Sequence, residues 1–256
     1  VRLGGSYAKK THLKDDYDID IYVQFDGPPY TERLRNILES ANITYKEIQG
    51  SRNYFIVNQD VEYEIVPVKK ITKPEHAETV IDLSTFHIEY FNKKAEKQPS
   101  LRDEVRLLKK FMKANRLYGS ESHIKGFSGH VVDLLIIHYG SFKKTLQAAK
   151  NWGEETVIDH ENLQDHPKLS INSSKLQSPL IVVDPTDPYR NAAAALSKEN
   201  YERFKHLARE FLERPSEEFF TKKPFEDIVK ENSKGTTIMI EAKPLNGKED
   251  IAACKR

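Results

Sequence analysis

The feature that most constrains this chain is a pair of aspartates inside a short apolar run. Residues 18–25, Asp-Ile-Asp-Ile-Tyr-Val-Gln-Phe, alternate with a period of two, which predicts a strand. Because residues i and i+2 of a strand share a face, Asp18 and Asp20 should point the same way while the apolar residues between them pack into the core. Two carboxylates this close repel each other, and a divalent cation with hard oxygen ligands relieves the repulsion. The pattern therefore predicts a strand that presents a magnesium site.

A glycine-serine pair, Gly5-Ser6, precedes Asp18 with eleven residues between. Glycine lets the backbone approach a ligand closely, and the backbone N–H groups and hydroxyl of such a turn can hold a phosphate. A phosphate-binding turn beside a magnesium site is the arrangement that nucleotidyl transfer needs. We therefore predict that Gly5 and Ser6 bind the phosphates of a nucleotide.

A second acidic strand, at residues 61–68, carries Glu62 and Glu64 on one face. A two-metal site needs a third carboxylate beside the first two. We favour Glu64 because an apolar run follows it directly, and Glu62 is the alternative. The sequence thus predicts Asp18, Asp20 and Glu64 as the catalytic and Mg²⁺-binding residues.

The composition limits the class of protein in which these motifs stand. With 38% hydrophobic residues, 10% aromatic residues and a net charge of +1, the 256-residue chain has the profile neither of a disordered protein nor of a membrane protein. Its single cysteine, Cys254, excludes an internal disulfide framework and fits a reducing compartment. The longest apolar run, at residues 131–139, is far shorter than a bilayer span. We expect a cytoplasmic protein with no membrane partner.

The periodicity divides the chain into two halves. In the first, a helix at residues 30–40 and a hairpin of residues 52–58 and 61–68 indicate a mixed sheet with helical cover. From Thr85 the period becomes helical. Further helices are predicted at residues 101–117, at residues 128–152 with a break near Gly140, and at residues 197–212 with Ser197 as the cap. Among these helices lie a short strand at residues 180–183 and a turn at residues 184–188, so we read this half as a helical domain.

Several segments carry a resemblance to known families. Residues 5–13 and 18–21 resemble the active-site signature of the DNA polymerase β-like nucleotidyltransferases. Longer segments resemble the archaeal-type, class I CCA-adding enzymes, and the match covers nearly the whole chain: residues 107–111, 118–121, 126–129, 134–142, 184–191 and 204–211. The resemblance implies an α+β fold and the addition of C, C and A to the 3′ end of tRNA without a nucleic-acid template. It also implies CTP, ATP and the tRNA acceptor end as partners, Mg²⁺ as cofactor, and it allows a homodimer.

The resemblance assigns roles to individual residues. Triphosphate binding is implied for four positions, namely Ser6, His87, Lys109 and Tyr118. Arg190 matches the arginine that reads the base of the incoming nucleotide, although from its sequence context it could equally be a surface arginine. Lys109 lies on the rim of the apolar stripe of its helix, a place that suits a lysine reaching for a phosphate.

One helix face is strongly basic. Residues 92–116 contain nine basic and three acidic residues. The spacing places four of the basic residues on one face, namely Arg102, Arg106, Lys110 and Lys113. A face of this kind suits the phosphates of an RNA acceptor stem, and a solvated surface is the alternative reading. The family's acceptor cleft favours RNA binding.

The domains that we predict are a catalytic head at residues 1–84, a helical neck that binds nucleotide and tRNA at residues 85–215, and the beginning of an α/β body domain at residues 216–256, with a strand at residues 236–242. Three departures from the family are expected. Glu64 stands where the archaeal enzymes usually carry Asp, no helix precedes the Gly-Ser strand, and the chain stops where the family continues through a body and a tail. We therefore expect a fragment with a truncated start.

Two other functions fit the same motifs. A different nucleotidyltransferase on the same head, similar to an oligoadenylate synthase or an antibiotic-modifying enzyme, would not require CTP and an RNA 3′ end. A degenerate nucleotide- or RNA-binding module would lack catalysis, against which the intact carboxylates argue.

Overall fold

A computed structural model describes residues 1–14, 16–50 and 52–222 of the chain. Its first half contains a five-stranded mixed sheet in the order β1-β2-β5-β4-β3. The strands are β1 Arg2–Leu3, β2 Ile19–Phe25, β3 Lys46–Ile48, β4 Tyr54–Asn58 and β5 Glu62–Lys69. Strands β2 and β5 pair in parallel and the other pairs are antiparallel. The predicted mixed sheet is confirmed, and β3 is a strand that the sequence did not indicate.

Two helices accompany this sheet. Helix α1 (Gly5–Ala8) is a single turn that leads from β1 towards β2, and α2 (Tyr30–Ser40) has the predicted bounds. Spacing of four residues puts Leu34 and Leu38 on one face of α2, where they pack with Phe55 of β4. Burying a leucine side chain of this kind contributes about 1.5–3 kcal/mol, so this stripe fixes α2 on the sheet.

The second half is built around a buried helix. The helices are α3 Ser84–Lys97, α4 Leu101–Ala114, α5 Gly129–Tyr139, α6 Phe142–Ala149, α7 Pro167–Ser170 and α8 Lys198–Glu213. Helix α5 is apolar on nearly every side, and residues 131–137 are all buried. The predicted break lies at Gly140, whose φ of 85° ends α5 in a left-handed conformation that glycine adopts readily. Helix α4 ends three residues before the predicted position, because the Leu117 N–H turns back to the Met112 carbonyl.

A second sheet corrects the prediction of a helical domain with one short strand at residues 180–183. Strands β6 (Thr156–Ile158), β7 (Leu180–Asp184) and β8 (Asp187–Asn191) form it in this order. The turn predicted at residues 184–188 is shorter, because Asp184 pairs with Asp187 and Pro188 already belongs to β8. A proline is tolerated there because β8 is an edge strand, where its missing N–H breaks no ladder hydrogen bond.

The end of the described chain continues to pack on the second half. Ser197 caps α8 as predicted, by accepting a hydrogen bond from Asn200 N–H. A 3₁₀ helix, Glu217–Phe220, then places the ring of Phe219 at 5.9 Å from that of Phe111 of α4. The strand predicted at residues 236–242, and with it residues 223–256 of the predicted body domain, lie outside the described residues. Within the described chain, no helix combines the length and the apolar character that crossing a membrane requires.

Candidate active site

The largest concentration of predicted site residues is in a cleft of about 650 Å³ between the first sheet and the second half. From the first half, Gly5, Ser6, Asp18 and Asp20 line it. From the second half, His87, Lys109 and Tyr118 line it. The fold therefore brings together seven residues that are spread over more than a hundred positions of the sequence.

The parallel pairing of β2 and β5 sets the carboxylates side by side. Asp20 is the register partner of Glu64, and directly paired residues of parallel strands face the same side of the sheet. Burial and the neighbouring Asp18 raise the pKa of Asp20 to about 6. Burial, Asp20 and Asp18 raise the pKa of Glu64 to about 7. The face thus concentrates negative charge, which is the condition that a divalent cation relieves. Glu62, the alternative third carboxylate, lines the cleft, whereas Glu64 is not among the described residues that line it, so the choice of Glu64 stays a prediction.

The turn before β2 approaches Asp20 so closely that only glycine fits. Gly5 has a φ of 50°, and a Cβ on it would lie 1.6 Å from Asp20 Oδ2. A Cβ on Gly4 would lie 2.6 Å from the Tyr22 ring, and Gly4 N–H donates to the Asp20 carbonyl at 2.8 Å. Sequence reasoning singled out Gly5 and missed Gly4. Ser6 Oγ is buried with no hydrogen-bond partner among the described residues, so it is available to a ligand in the cleft.

A buried ion pair that the sequence analysis missed joins the two halves. Lys9, at the end of α1, donates to Asp133 of α5, and both side chains line the cleft. Burial raises the pKa of Asp133, and the Lys9 ammonium partly offsets this. The signal was present in the sequence, because Asp133 is an acidic residue within an apolar helix, and a buried carboxylate needs a partner.

Lys109 lies deeper than its predicted position on the rim of α4, with 6% of its surface exposed. Burial, followed by the nearby Lys113, lowers the pKa of Lys109 to about 8. Its ammonium lies 5.4 Å from the centre of the Tyr118 ring, and that of Lys113 lies 5.6 Å from the same ring. A lysine that is held in a cleft in this way usually binds a charged ligand.

His87 and Arg190 meet at one buried carboxylate, that of Asp184. His87 Nε2 lies 3.0 Å from Asp184 Oδ2, and Arg190 Nη1 donates to the same oxygen. The ring of His130 stacks on that of His87, with 3.7 Å between ring centres. Among the described residues, the three metal-capable side chains whose ligand atoms all lie within 4.8 Å of one another are His87, His130 and Asp184. Sequence reasoning named neither Asp184 nor His130.

The predicted RNA-binding residues do not all face the same way. Lys110 and Lys113 line a second groove, of about 1220 Å³, which adjoins the cleft, and Arg106 lines it as well. Arg102 instead donates to the carbonyls of Lys9 and Ala95, and thus ties the end of α1 to the second half. The groove's basic side chains are Lys14, Arg106, Lys110, Lys113, Arg116, Lys125, Arg203 and Lys222, against the acidic Asp16 and Glu199. This charge suits a phosphate backbone.

Each half of the chain matches a known family of domains. The family described as "Nucleotidyltransferase domain" matches residues 1–124, and that described as "tRNA nucleotidyltransferase, second domain" matches residues 103–221. The solved Cid1 poly(U) polymerase with Mg and 3′-dATP has a TM-score of 0.66 at 12% identity, over 87% of this chain and 86% of that one. CdnC of E. coli MS115-1 with ATP has a TM-score of 0.57 at 19% identity, over 85% and 79%. The fold and the site define a polymerase β-like nucleotidyltransferase.

Individual relatives point to a narrower group of enzymes within this class. A CCA-adding enzyme of Methanocaldococcus jannaschii is 38% identical over 98% of this chain and 58% of its own length. The CCA-adding enzyme of Sulfurisphaera tokodaii is 39% identical over 90% of this chain and 55% of its own length. That of Archaeoglobus fulgidus is 37% identical over 86% of this chain and 48% of its own length. Over nearly all of its length the chain is similar to the archaeal CCA-adding enzymes. It spans about half the length of these relatives.

Proposed function

We propose that this chain supplies the catalytic head and neck for adding C, C and A to the 3′ end of tRNA from CTP and ATP, with release of pyrophosphate. The observation that carries the proposal is the acidic face of β2 and β5 beside the Gly5-Ser6 turn. There Asp20 and Glu64 are register partners, and a Cβ on Gly5 would collide with Asp20. Similarity to CCA-adding enzymes and to a tRNA nucleotidyltransferase domain supports tRNA as the substrate, and CTP and ATP are the nucleotides that the resemblance implies.

Under this proposal Asp18, Asp20 and Glu64 would hold Mg²⁺. The donor set fits, because hard carboxylate oxygens are what Mg²⁺ prefers, and because burial, followed by the neighbouring carboxylates, raises the pKa values of Asp20 and Glu64, an unfavourable ionisation that a bound cation would relieve. Bound Mg²⁺ supplies Lewis acidity, which lowers the pKa of the attacking 3′-hydroxyl and offsets the charge of the triphosphate.

The remaining tasks belong to the chain's own side chains. Ser6 Oγ and the ammonium groups of Lys9 and Lys109 line the cleft where a triphosphate would lie, and they would hold it for in-line attack on the α-phosphorus. The basic groove beside the cleft would receive the phosphates of the acceptor stem. His87 and Arg190 would meet the nucleotide, as the resemblance implies. A cytoplasmic location and a homodimer remain predictions.

The test is incorporation of labelled CTP, and separately of ATP, onto tRNAs that lack all three terminal nucleotides, the last two or only the last. We expect C on the first two substrates, A on the third, and no transfer once Mg²⁺ is chelated. A minihelix that consists of the acceptor stem and its stacked arm provides a substrate that needs only the head and neck. Transfer of UTP in preference to CTP, or transfer that survives chelation, would contradict the proposal.

A further inference from the structure

Both oxygens of the Asp184 carboxylate contact other groups. Asp184 ends β7 with none of its side chain exposed. Its Oδ1 accepts hydrogen bonds from Thr186 N–H at 2.9 Å and from the Thr186 hydroxyl at 2.8 Å, which closes the hairpin turn. Its Oδ2 contacts His87 Nε2 and Arg190 Nη1. One oxygen therefore builds the turn, and the other holds two side chains.

The two side chains reach Asp184 from different places. His87 lies on α3, 97 positions before Asp184, and Arg190 lies on β8, six positions after it. Their side chains are 12% and 23% exposed, so each sits at the edge of the interior with its charge-bearing end turned inward. Without a fixed anion, a guanidinium in such a place would turn to solvent, because nothing else would offset the loss of its hydration.

His130 supports the arrangement from the other side. Its ring stacks on that of His87 at an angle of 21°, and its Nε2 lies 3.4 Å from Asp184 Oδ2 without a hydrogen bond within the described chain. Burial, followed by the neighbouring His87, lowers the pKa of His130 to about 3. His130 is therefore neutral at physiological pH and fixes the plane of the His87 ring without adding charge.

A metal ion is the competing interpretation of this cluster. Two imidazoles and a carboxylate are a ligand set typical of zinc. Against it, Arg190 already binds the oxygen that the cation would need, so a cation there would lie beside a guanidinium. The contacts form a closed hydrogen-bonded cluster instead.

We infer that Asp184 is a positioning residue, which holds the His87 imidazole and the Arg190 guanidinium in the orientation that receives the incoming nucleotide. The inference rests on the proposed function, because that function makes His87 and Arg190 nucleotide-binding groups. Among the described residues, His87 lines the cleft, whereas Asp184 and Arg190 do not, so Asp184 acts through the side chains that it holds.

The test compares Asp184→Asn with Asp187→Asn. Asparagine keeps the shape and the Oδ1 acceptor for Thr186, but it can place an amide N–H₂ opposite the donors of His87 and Arg190. Asp187 lies in the same turn, and within the described chain its carboxylate accepts a hydrogen bond only from Tyr189 N–H. In Asp184→Asn we expect the Kd and KM for CTP to rise about tenfold, which corresponds to about 1.4 kcal/mol. The kcat and the KM for tRNA should stay within about threefold of the wild-type values. Asp187→Asn should match the wild type.

A second comparison keeps the inference falsifiable if Asp184→Asn folds poorly. Because Asp184 acts partly through Arg190, the loss of affinity for CTP in Asp184→Glu/Arg190→Ala should be clearly smaller than the sum of the losses in Asp184→Glu and in Arg190→Ala. Additive losses of affinity would overturn the inference, as would an unchanged Kd for CTP in folded Asp184→Asn.

Direct binding measurements separate the two proposals. If the wild type binds CTP and Asp184→Asn binds it equally well, only the positioning role fails. If the wild type neither binds nor transfers CTP, the proposed function fails and the positioning role with it. Titration with ZnCl₂ tests the competing metal site. If the wild type binds one Zn²⁺ tightly and Asp184→Asn does not, a metal site replaces the positioning role.

Discussion

The head and the neck each bury acidic side chains, and the two groups have opposite surroundings. In the head, burial and neighbouring carboxylates raise the pKa values of Asp20 and Glu64. In the neck, burial would also raise the pKa of Asp184, but the neighbouring His130 and His87 hold the pKa of that carboxyl below its ordinary range. Burial alone therefore does not decide the charge of a carboxylate. Under the proposed function the acidic face of the head takes a cation from outside, whereas Asp184 of the neck already has the Arg190 guanidinium beside it.

The largest effect is expected for the acidic residues of the head. Asp20→Asn removes one carboxylate while keeping the size of the side chain, so nucleotidyl transfer should fall by at least about 1,000-fold, or about 4 kcal/mol of transition-state stabilisation. Asp26→Asn is the matched control, because the Asp26 side chain is 88% exposed and, among the described residues, pairs only with Lys70 at 3.5 Å. Single-turnover transfer to tRNA measures both. An active Asp20→Asn variant would remove the acidic face from the chemistry.

The next effect tests how closely the Gly5-Ser6 turn must approach Asp20. Gly5→Ala forces a Cβ against Asp20 Oδ2 at a φ of 50°, so the turn or the carboxylate has to move. We expect a loss of activity of about 100-fold. Gly27→Ala is the control, because no atom lies within 4 Å of the added Cβ. Wild-type rates in Gly5→Ala would show that the close approach is not needed for catalysis.

The buried ion pair between the two halves should contribute more to stability than an exposed ion pair does. Lys9→Met leaves the Asp133 carboxylate buried without its cation and should lower the free energy of unfolding by about 3 kcal/mol. Lys168→Met breaks an exposed pair with Glu155 and should cost less than about 1 kcal/mol. Urea titration measures both values. Equal effects would mean that burial does not distinguish the two pairs.

The smallest effect is a dependence of stability on pH. Glu64 has an ordinary pKa of 4.5 and a folded pKa of about 7, so the folded protein holds this proton more tightly than the unfolded chain does. The metal-free protein should therefore lose stability as the pH rises from about 4.5 to about 7. Glu64→Gln should reduce that fall by a few degrees of Tm, unlike the exposed Glu75→Gln. An identical pH profile in Glu64→Gln would contradict the assignment.

Local signals account for the parts of the fold that the sequence predicted correctly. The period of two in β2, the apolar stripe of α2 and the cap at Ser197 depend on neighbours within a few residues, which a sequence displays directly. The carboxylate pair belongs to the same class of signal, because Asp18 and Asp20 are two residues apart and both line the cleft, although β2 begins only at Ile19.

The parts that the sequence did not reveal depend on distant partners. Lys9 and Asp133 are 124 positions apart, and His87 and Asp184 are 97 apart. Strand β6 is three residues long, too short for a periodic pattern, and becomes a strand only by pairing with β7. The family resemblance pointed to His87 and Arg190, but only the fold shows the carboxylate that holds them.

The most direct test of the central claim is a calorimetric titration with Mg²⁺ at pH 8, in the presence of a non-hydrolysable CTP analogue. The opposite surroundings of the two acidic groups predict binding in the wild type and in His130→Ala, and its loss in Asp20→Asn. Binding that survives Asp20→Asn and disappears in His130→Ala would place the cation in the neck and contradict the account.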